Sequence, residues 1–383
     1  MDFNLTDEQE LLAESLKGCL QRIITEADIQ QSYETGEFPM DAWKALADNG
    51  FLAIGAPEEY GGVPADITTQ VLLAYVANKY GGPLAGYLTL GLTTLRDLED
   101  FGTPEQKKLV LEPYIAGGTP MALGMSEPNS GSDSSGIETQ YVRKGDKVVI
   151  NGHKHYNTMA SQVDYIMLTA KDAEVANPYK GMTMFILPVN TPGVRITNLP
   201  KLGGTNPIHI CEIFLDNVEL STSMILGQEH NGFKQLMKNF EIERTVAMAG
   251  ALAAAENAFE DAATYANQRV QFGRAIGENQ LIQEKIFEMK MKVELMRNMV
   301  FKVAWMIDNN MDVRVDHALC KYYCARACNE VIDDAIQVLG GVGIVGNHRV
   351  MRAFCDSRSQ RIGAGSDQVM IFSTAPQILA QYK

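Results

Sequence analysis

Phe240-Glu241-Ile242-Glu243-Arg244 opens a stretch, 240–274, whose composition indicates a single long helix. After this charged start alanine recurs as far as Ala263, and Gly250 is the only glycine or proline in that run. Because alanine has the highest helix propensity, we expect one long helix whose small side chains let other elements pack closely. The composition changes abruptly at Gln268-Arg269-Val270-Gln271-Phe272-Gly273-Arg274. We therefore expect a ligand site at each end of this helix.

Residues 1–120 carry the patterns of helices. Thr6-Asp7-Glu8-Gln9 and Thr103-Pro104-Glu105-Gln106 are capping-box sequences, in which the first and fourth residues satisfy each other's backbone N–H groups. Another helix is expected to open at Pro39 and to end at Asn49-Gly50, because proline suits the first turn. The sequence predicts an N-terminal helical domain.

Residues 121–228 change to short runs rich in β-branched and aromatic residues. The runs are Lys147 to Ile150, Tyr165 to Thr169, Met182 to Leu187, Val194 to Ile196 and Cys211 to Leu215. Asn151-Gly152 and Pro192-Gly193 are typical turn sequences and are expected to separate strands. A middle β domain, either a sandwich or a barrel, is predicted.

Residues 229–383 return to long helical patterns. One helix, Glu284 to Ile307, carries a stripe of Phe287, Met291, Leu295, Met299 and Val303. Such a stripe is typical of a core or an oligomer interface. Ala318 to Leu339 is expected to form a further helix that ends at Gly340-Gly341. We predict an α+β fold, mostly α, with a C-terminal four-helix bundle that also builds an oligomer.

Composition excludes several classes of function. The formal net charge of −14 over 383 residues argues against nucleic acid or an anionic membrane as partner, because both select basic surfaces. The sequence contains no uninterrupted apolar run of about 18 residues, so we expect no transmembrane helix. Met1-Asp2-Phe3-Asn4-Leu5 lacks the features of a signal peptide. Six scattered cysteines fit reduced thiols, so we expect a cytoplasmic protein.

Two motifs that look like ligand sites are rejected. Cys320, Cys324 and Cys328 recur near His317, but one ion cannot reach ligands spread over several helical turns of about 5.4 Å. A buried helix face is the better interpretation, and we expect no metal. Gly341-Val342-Gly343-Ile344-Val345-Gly346 matches the dinucleotide-binding pattern, yet a helix precedes it where that motif requires a strand.

Two polar segments could serve a flat ligand. Met125 to Asp133 is a loop of small polar residues whose amides and hydroxyls suit a ring edge or a phosphate. Tyr156 and Thr158, two positions apart, are expected on one face of a strand, where they could contact a heterocycle. Taken singly, an ordinary turn and a cross-strand pair are the better explanations.

Taken together, four motifs in order resemble the acyl-CoA dehydrogenase family. They are Ser126-Glu127-Pro128-x-x-Gly131-Ser132-Asp133, Asn151-Gly152-x-Lys154-x-Tyr156-x-Thr158, Arg269-x-x-Phe272-Gly273 and Gln337-x-Leu339-Gly340-Gly341. The resemblance spans essentially the whole chain. It is nearest in look to the branch of crotonobetainyl-CoA reductase and related anaerobic enoyl-CoA reductases, through Asn267 to Gly273, Gln280 to Lys285 and Gly346 to Arg349.

The resemblance implies FAD held between subunits of a homotetramer, and an electron-transfer flavoprotein as redox partner. It implies that the flavin contacts Leu123, Met125, Ser126, Gly131, Ser132, Tyr156 and Thr158. It implies that the rest of the cofactor contacts Arg269, Phe272 and Gln280, with Gln337, Leu339, Gly340 and Gly341 from a neighbouring subunit. Ser366 and Gln368 complete the expected cofactor residues.

One loop, Ile362 to Gln368, departs from the family pattern. Many members place their catalytic glutamate where this chain has Ala364, which cannot move a proton. A minority carry the base just before the arginine that begins the long helix, an arrangement that Glu243-Arg244 matches. The resemblance therefore implies Glu243 as the base, with the Ala364 N–H available to the thioester oxygen. It also implies substrate contacts at Ser132, Glu241, Arg244 and Gly365.

From the residues alone, Glu241 and Glu243 could instead stabilise a helix N-terminus electrostatically. With the motifs, the expected activity is FAD-dependent α,β-dehydrogenation of a short acyl-CoA, or the reverse reduction of an enoyl-CoA. The space beside Ala364 predicts an acyl group that is branched, aromatic or polar. Two alternatives stay open: a flavin oxidase or monooxygenase on the same fold, and a catalytically silent subunit that binds CoA and FAD.

Overall fold

The computed structural model describes residues 5–201, 203–345 and 347–383. Its helices are α1 (Asp7–Ile23), α2 (Glu26–Thr35), α3 (Met40–Asp48), α4 (Ile67–Tyr80), α5 (Leu84–Phe101), α6 (Pro104–Ile115), α7 (Pro178–Gly181), α8 (Gly232–Gln268), α9 (Gln280–Asp308), α10 (Arg314–Leu339), α11 (Gly341–Ile344), α12 (Arg349–Ser357) and α13 (Asp367–Ala380). Its strands are β1 (Met121–Gly124), β2 (Gln140–Lys144), β3 (Lys147–Thr158), β4 (Tyr165–Asp172), β5 (Met182–Pro188), β6 (Val194–Leu199), β7 (Ile210–Ser221), β8 (Ile225–Leu226), β9 (Val270–Gln271) and β10 (Arg274–Ala275). This order of helices, strands and helices confirms the α+β fold class. The domain boundaries at 120 and 228 stay a prediction.

Both predicted capping boxes form. Thr6 N donates to Gln9 Oε1 at 3.1 Å and Gln9 N donates to Thr6 Oγ1 at 3.2 Å, so α1 begins where expected. Thr103 and Gln106 make the same exchange at the start of α6. The sequence-based prediction missed α2, although Thr25 opens it with a capping box of the same kind.

The strands β1 to β8 form one eight-stranded sheet in the order β6-β7-β3-β2-β4-β5-β8, with β1 parallel to β4. All five predicted strand runs belong to it. The turn predicted at Asn151-Gly152 is wrong, because this dipeptide lies inside β3 where the pairing with β7 shifts register. A Cβ on Gly152 would lie 2.3 Å from Thr139 Oγ1, so close packing explains the glycine. The β2–β3 hairpin turns instead at Gly145, with φ +66°.

The long helix predicted from Phe240 begins eight residues earlier, at Gly232, and ends at Gln268. Leu236 and Phe240 are buried, so the amphipathic pattern extends ahead of the alanine-rich run. Glu241 and Glu243 therefore lie well inside the helix. Because the helix dipole acts within the first turn, the alternative that these carboxylates stabilise the N-terminus is wrong.

One compact unit comprises 5–21, Asp66–Ala85 and Glu241–Lys383. At its centre Glu256 accepts hydrogen bonds from Lys79 at 2.9 Å, from Arg297 at 2.6 Å and from Tyr75. These bonds join α4, α8 and α9. His317, Cys320, Cys324 and Cys328 are all buried on α10, as expected for a helix face.

The stripe predicted on α9 is largely exposed within the chain. Phe287 is 72% exposed, and Met291 and Leu295 are nearly half exposed, whereas Val303 is buried. The core side of α9 is a neighbouring stripe that contains Met289, Val293, Met296 and Val300. An apolar surface of this kind suits an interface better than a core, which is one of the two outcomes that the spacing allowed.

The other compact unit comprises Arg22–Ala65 and Gly86–Phe240 and contains the sheet. Phe38 stacks on Tyr87 at a ring distance of 3.8 Å, and Trp43 Nε1 donates to the Gly118 carbonyl at 3.0 Å. No helix in the described ranges is long and apolar enough to cross a membrane. In the rejected glycine motif, α10 precedes Gly341 as expected, and Gly346 lies outside the described residues.

Candidate active site

Glu243 lies about three turns inside α8. Its neighbours Ile242 and Val246 are buried, and Glu243 itself is partly buried. Burial raises the pKa of Glu243 to about 7, because the charged form loses hydration, although the Arg244 charge acts in the opposite direction. A carboxyl with such a pKa can both accept and return a proton near neutral pH.

Arg244 ties three segments of the same unit together. Its Nε donates to the Ala364 carbonyl at 2.8 Å, and its Nη1 lies 2.8 Å from His317 Nε2. His317 Nδ1 lies 2.8 Å from the Val313 carbonyl, which can only accept. Nδ1 therefore carries the proton and Nε2 accepts from Arg244. Two predicted site residues, Arg244 and Ala364, are thus in direct contact.

Ala364 and Gly365 form a turn in the left-handed region, with φ +51° and +98°. This conformation costs an alanine roughly 1 kcal/mol, so contacts from outside the loop are needed to hold it. Arg244 holds the Ala364 carbonyl, and the buried Lys321 of α10 donates to the Gly365 carbonyl. The φ of +98° would strain any residue other than glycine at position 365, and a Cβ there would also displace Met370 Cε, which lies 2.7 Å from its place. Two consecutive carbonyls are therefore fixed.

Ser366 and Gln368, which the sequence predicts to contact the cofactor, lie at the start of α13. Ser366 Oγ accepts from Val369 N at 3.3 Å and so caps the helix. Gln368 is exposed and available to a ligand. Between them Asp367 is buried and accepts from Arg361 at 2.9 and 2.7 Å, which anchors the end of the loop.

Phe272 and Gly273 are the two central residues of the β9–β10 hairpin, with φ +53° and +78°. Positive φ at both positions is the geometry of a type I′ turn. Phe272 is fully exposed, although this conformation is costly for a phenylalanine. Arg269 and Gln280 flank the hairpin and are also exposed. Three predicted residues thus share one accessible region after α8.

A second accessible region lies at the end of α10. Gln337, Gly340 and Gly341 are exposed, and no atom lies within 4 Å of a Cβ built on either glycine. Backbone here can be approached closely by a ligand. Leu339 is buried, because the apolar face of α10 continues to its last residue. If Leu339 contacts the cofactor as predicted, it therefore does so through its backbone and not through its side chain.

In the unit that contains the sheet, a buried ion pair supports the predicted flavin loop. Lys154 Nζ of β3 donates to Glu127 Oε1 at 2.8 Å and to the Met125 carbonyl at 3.0 Å. Glu127 also accepts from the backbone N–H groups of Glu138 and Thr139. Burial lowers the pKa of Lys154 to about 8, whereas the Glu127 charge opposes that change. Three donors, the Lys154 ammonium and two backbone N–H groups, thus converge on one buried carboxylate.

Ser126 and the Tyr156 segment lie together, because His155 N donates to the Ser126 carbonyl at 2.8 Å. Tyr156 has φ +61° and is 66% exposed, at a register shift between β3 and β7. Asn157 is buried, whereas Thr158 is partly accessible. The positive φ of Tyr156 and the register shift interrupt the regular alternation on which the prediction of one shared face relied, so that shared face stays a prediction. The other residues predicted to contact the flavin are at least partly accessible. Leu123 and Met125 are partly buried, and Gly131 and Ser132 are exposed.

Four residues that build these sites were not predicted to act there. Glu127 and Lys154 stand in the quoted motifs, but no sequence signal marks a lysine as buried. His317 and Lys321 are four residues apart on α10, and this spacing shows that they share a helix face. It does not show that the face meets the Ala364 loop.

Elsewhere, Asp172, Glu229 and His230 place possible ligand atoms within 4.8 Å of one another. These groups already have protein partners: His230 Nε2 lies 2.8 Å from Asp172 Oδ2, and Tyr141 donates to Glu229 at 3.1 Å. The geometry is explained by these bonds without an ion.

Three models of acyl-CoA dehydrogenase domains match the chain. The N-terminal domain matches over 6–118, the middle domain over 122–218 and the C-terminal domain over 230–379. The chain is 42% identical to the "Probable acyl-CoA dehydrogenase YdiO" of Escherichia coli (strain K12) over 384 residues, which covers 100% of both chains.

Solved structures agree with these matches. Butyryl-CoA dehydrogenase from Megasphaera elsdenii superposes with a TM-score of 0.93 at 29% identity, covering 99% of this chain and 100% of that one. A chain solved in a study of the electron transferring flavoprotein of Acidaminococcus fermentans has the same TM-score at 28% identity, with 99% and 100% covered. The domain models together span nearly the whole sequence. The chain belongs to the acyl-CoA dehydrogenase family.

Proposed function

We propose that the protein interconverts a short acyl-CoA and its α,β-unsaturated enoyl-CoA, with Glu243 as the proton-transfer group. The observation that carries this proposal is the setting of Glu243, a partly buried carboxyl with its pKa raised to about 7. Its neighbour in sequence, Arg244, holds the loop that contains Ala364, the position at which the family resemblance implies a glutamate in many members. Members of the family are oxidoreductases that act on CH–CH bonds.

FAD is the cofactor of this family, and the residues present fit it. Support comes from the exposed aromatic rings of Tyr156 and Phe272 and from the open backbone at Gly340 and Gly341. Flat rings suit a heterocycle, and Arg269 suits a pyrophosphate. When bound, FAD supplies the acceptor for the hydride that leaves the β-carbon. We propose that these residues hold it.

The residues of the chain would then act on the thioester. The Glu243 carboxylate takes the proton from the α-carbon during oxidation and returns it during reduction. The Ala364 N–H donates to the thioester oxygen, whose negative charge grows as the proton leaves. Arg244 and Lys321 keep this part of the loop in one conformation through the Ala364 and Gly365 carbonyls. Glu243 is therefore the only one of these groups that must change protonation.

A panel of thioesters tests this function, and the measurement is the change of the flavin absorbance spectrum. Purified holoprotein is mixed without oxygen with butyryl-, isobutyryl-, isovaleryl- and phenylpropionyl-CoA, and photoreduced holoprotein with the matching enoyl-CoAs. Bleaching by an acyl-CoA or recovery of colour with an enoyl-CoA supports the proposal and gives the faster direction. If no thioester changes the spectrum, the silent-subunit alternative is favoured. Rapid reoxidation in air with product bound favours the oxidase alternative.

The rate of bleaching by acyl-CoA should rise with pH through about 7. Oxidation needs the Glu243 carboxylate, which is the form present above its pKa, so the rate is lost as the pH falls through about 7. The reverse reduction needs the protonated carboxyl and should show the opposite dependence. Stopped-flow absorbance across the pH range measures both limbs. A bleaching rate that is independent of pH between about 6 and 8 would contradict the role of Glu243.

The size of the residue at position 364 should determine how bulky an acyl group the enzyme accepts. Moving the base, as Glu243→Gly with Ala364→Glu, is expected to retain turnover of butyryl-CoA and to lose that of bulkier thioesters, because the new side chain fills space that a methyl group leaves open. The measurement is kcat/KM for butyryl- and isovaleryl-CoA in the wild type and the double variant. A wild-type preference for long straight chains contradicts the space argument.

A homotetramer, a cytoplasmic location and an electron-transfer flavoprotein as redox partner belong to the same proposal. Support for the oligomer comes from the exposed apolar stripe on α9, which includes Phe287, Met291 and Leu295. Support for the partner comes from the structural match to a chain studied together with an electron transferring flavoprotein.

A further inference from the structure

His317 makes contacts that the proposed reaction does not require. It is buried on α10, accepts a hydrogen bond from Arg244 at 2.8 Å and donates one to the Val313 carbonyl at 2.8 Å. Only a neutral ring protonated at Nδ1 can make both bonds. Burial, together with the Arg244 charge, lowers the pKa of His317 to about 4. The neutral form is therefore present at neutral pH.

Arg244, the hydrogen-bond partner of His317, has two possible acceptors nearby: the Ala364 carbonyl and the Glu243 carboxylate. Arg244 follows Glu243 directly in α8, and its guanidinium reaches the Ala364 carbonyl of the loop. If it moved instead to the Glu243 carboxylate, the ion pair would stabilise the charged form and lower the pKa of that group. A histidine accepts from the guanidinium without adding charge, whereas an apolar side chain would leave a donor unsatisfied.

Other charged groups surround this pair on each packed segment. Asp312, which precedes α10, and Asp316, in its first turn, act on His317. Asp367 and Arg361 act on Lys321 from the other side of the loop, and Arg244 acts on it as well. Lys321 is bonded to the Gly365 carbonyl, and Asp367 to Arg361. His317 is thus the neutral acceptor for Arg244 in a cluster where Lys321, Asp367 and Arg361 already have other partners.

We propose that His317 is a positioning residue whose Nε2 lone pair keeps the Arg244 guanidinium on the Ala364 carbonyl and away from the Glu243 carboxylate. This role rests on the proposed function of Glu243. It has two consequences that can be measured apart. Glu243 keeps a proton affinity suited to exchange near neutral pH, and the Ala364 loop keeps one backbone conformation.

Three substitutions separate these effects from a general loss of packing. Glutamine places an amide oxygen at about the reach of Nε2, asparagine reaches only about as far as Nδ1, and leucine offers no acceptor. The functional readout is Glu243-dependent exchange of the α-hydrogens of butyryl-CoA in D₂O, followed by mass spectrometry of the thioester. This exchange needs proton transfer but no net oxidation.

We expect His317→Leu and His317→Asn to slow exchange about 10- to 100-fold, as the loss of one hydrogen bond to a charged group predicts. Their pH midpoint should fall by about one unit, because the Arg244 Nη1 group loses its acceptor on His317 and the guanidinium charge can lie closer to Glu243. His317→Gln should restore both the rate and the midpoint. Lys321→Met is the matched control: it releases the Gly365 carbonyl and leaves the Arg244–His317 bond in place, so the midpoint should not move.

Hydrogen–deuterium exchange of the backbone peptide that contains 362–367 gives a second readout without substrate. His317→Leu should speed deuterium uptake there and His317→Gln should not. Equal uptake in wild type and His317→Leu, or a His317→Gln variant as impaired as His317→Leu, overturns the positioning role. If Glu243→Gln still catalyses α-exchange, the proposed function is wrong, and the backbone exchange still decides the role of His317.

Discussion

Glu243→Gln is expected to slow bleaching of the flavin by acyl-CoA strongly while the protein stays folded and yellow. Glutamine preserves the shape of the side chain but cannot accept the α-proton near neutral pH. General acid–base groups contribute about 10²- to 10⁴-fold to rate, and the bleaching rate should fall by an amount in that range. Anaerobic stopped-flow absorbance measures the rate, and the visible spectrum of the purified variant measures the retained FAD.

Glu260→Gln is the matched control for this substitution. It makes the same chemical change on the same helix, at a side chain that is about half exposed and pairs with Lys79 at 2.8 Å. Its bleaching rate should equal that of the wild type. Undiminished bleaching in Glu243→Gln would end the assignment of Glu243 as the base. Equal losses in both variants would point to a general effect on α8.

Lys154→Met is expected to produce the largest loss of stability. It leaves the Glu127 carboxylate buried without its cation, although the N–H groups of Glu138 and Thr139 still donate to it. Removing one partner of a buried ion pair costs about 3–5 kcal/mol. We expect the free energy of unfolding to fall by this amount, measured by urea denaturation monitored by far-ultraviolet circular dichroism.

Two further variants test whether the loss of stability comes from a buried, unpaired carboxylate. Lys147→Met removes the cation of an exposed pair on the same strand, which joins Lys147 to Glu219 at 3.0 Å, and should cost at most about 1 kcal/mol. Glu127→Gln combined with Lys154→Met removes both charges and should be less destabilising than Lys154→Met alone. A loss below about 1 kcal/mol for Lys154→Met would show that the carboxylate is not desolvated as the structure indicates.

Local structure could be predicted well where the determining residues are close in sequence. The capping boxes at Thr6 and Thr103 need only the residue three positions on, and both form. The turn predicted at Asn151-Gly152 is wrong because its neighbours in space, Thr139 and β7, are distant in sequence. The predicted start of α8 is eight residues too late, because the alanine-rich run that predicts the helix is preceded by further amphipathic helical residues.

The site shows the same division. Motifs spread along the chain identified the family, and the resemblance, with Ala364 in place of a glutamate, implied Glu243 as the base. Residue types and order were sufficient for that step. They were not sufficient to show that Leu339 is buried or that Phe272 stands fully exposed in a left-handed conformation.

The sequence by itself therefore determined the two capping boxes and the five strand runs, because each follows from residue types at short spacing. Its motifs also led to the family and, through the resemblance, to Glu243 as the candidate base. The tertiary structure alone decided the electrostatic setting. Arg244 meets a carbonyl 120 residues away and an imidazole 73 residues away. Burial raises the pKa of Glu243, and the long-range bonds of Arg244 hold the Ala364 loop. No local pattern encodes which distant groups will exclude water from a carboxyl.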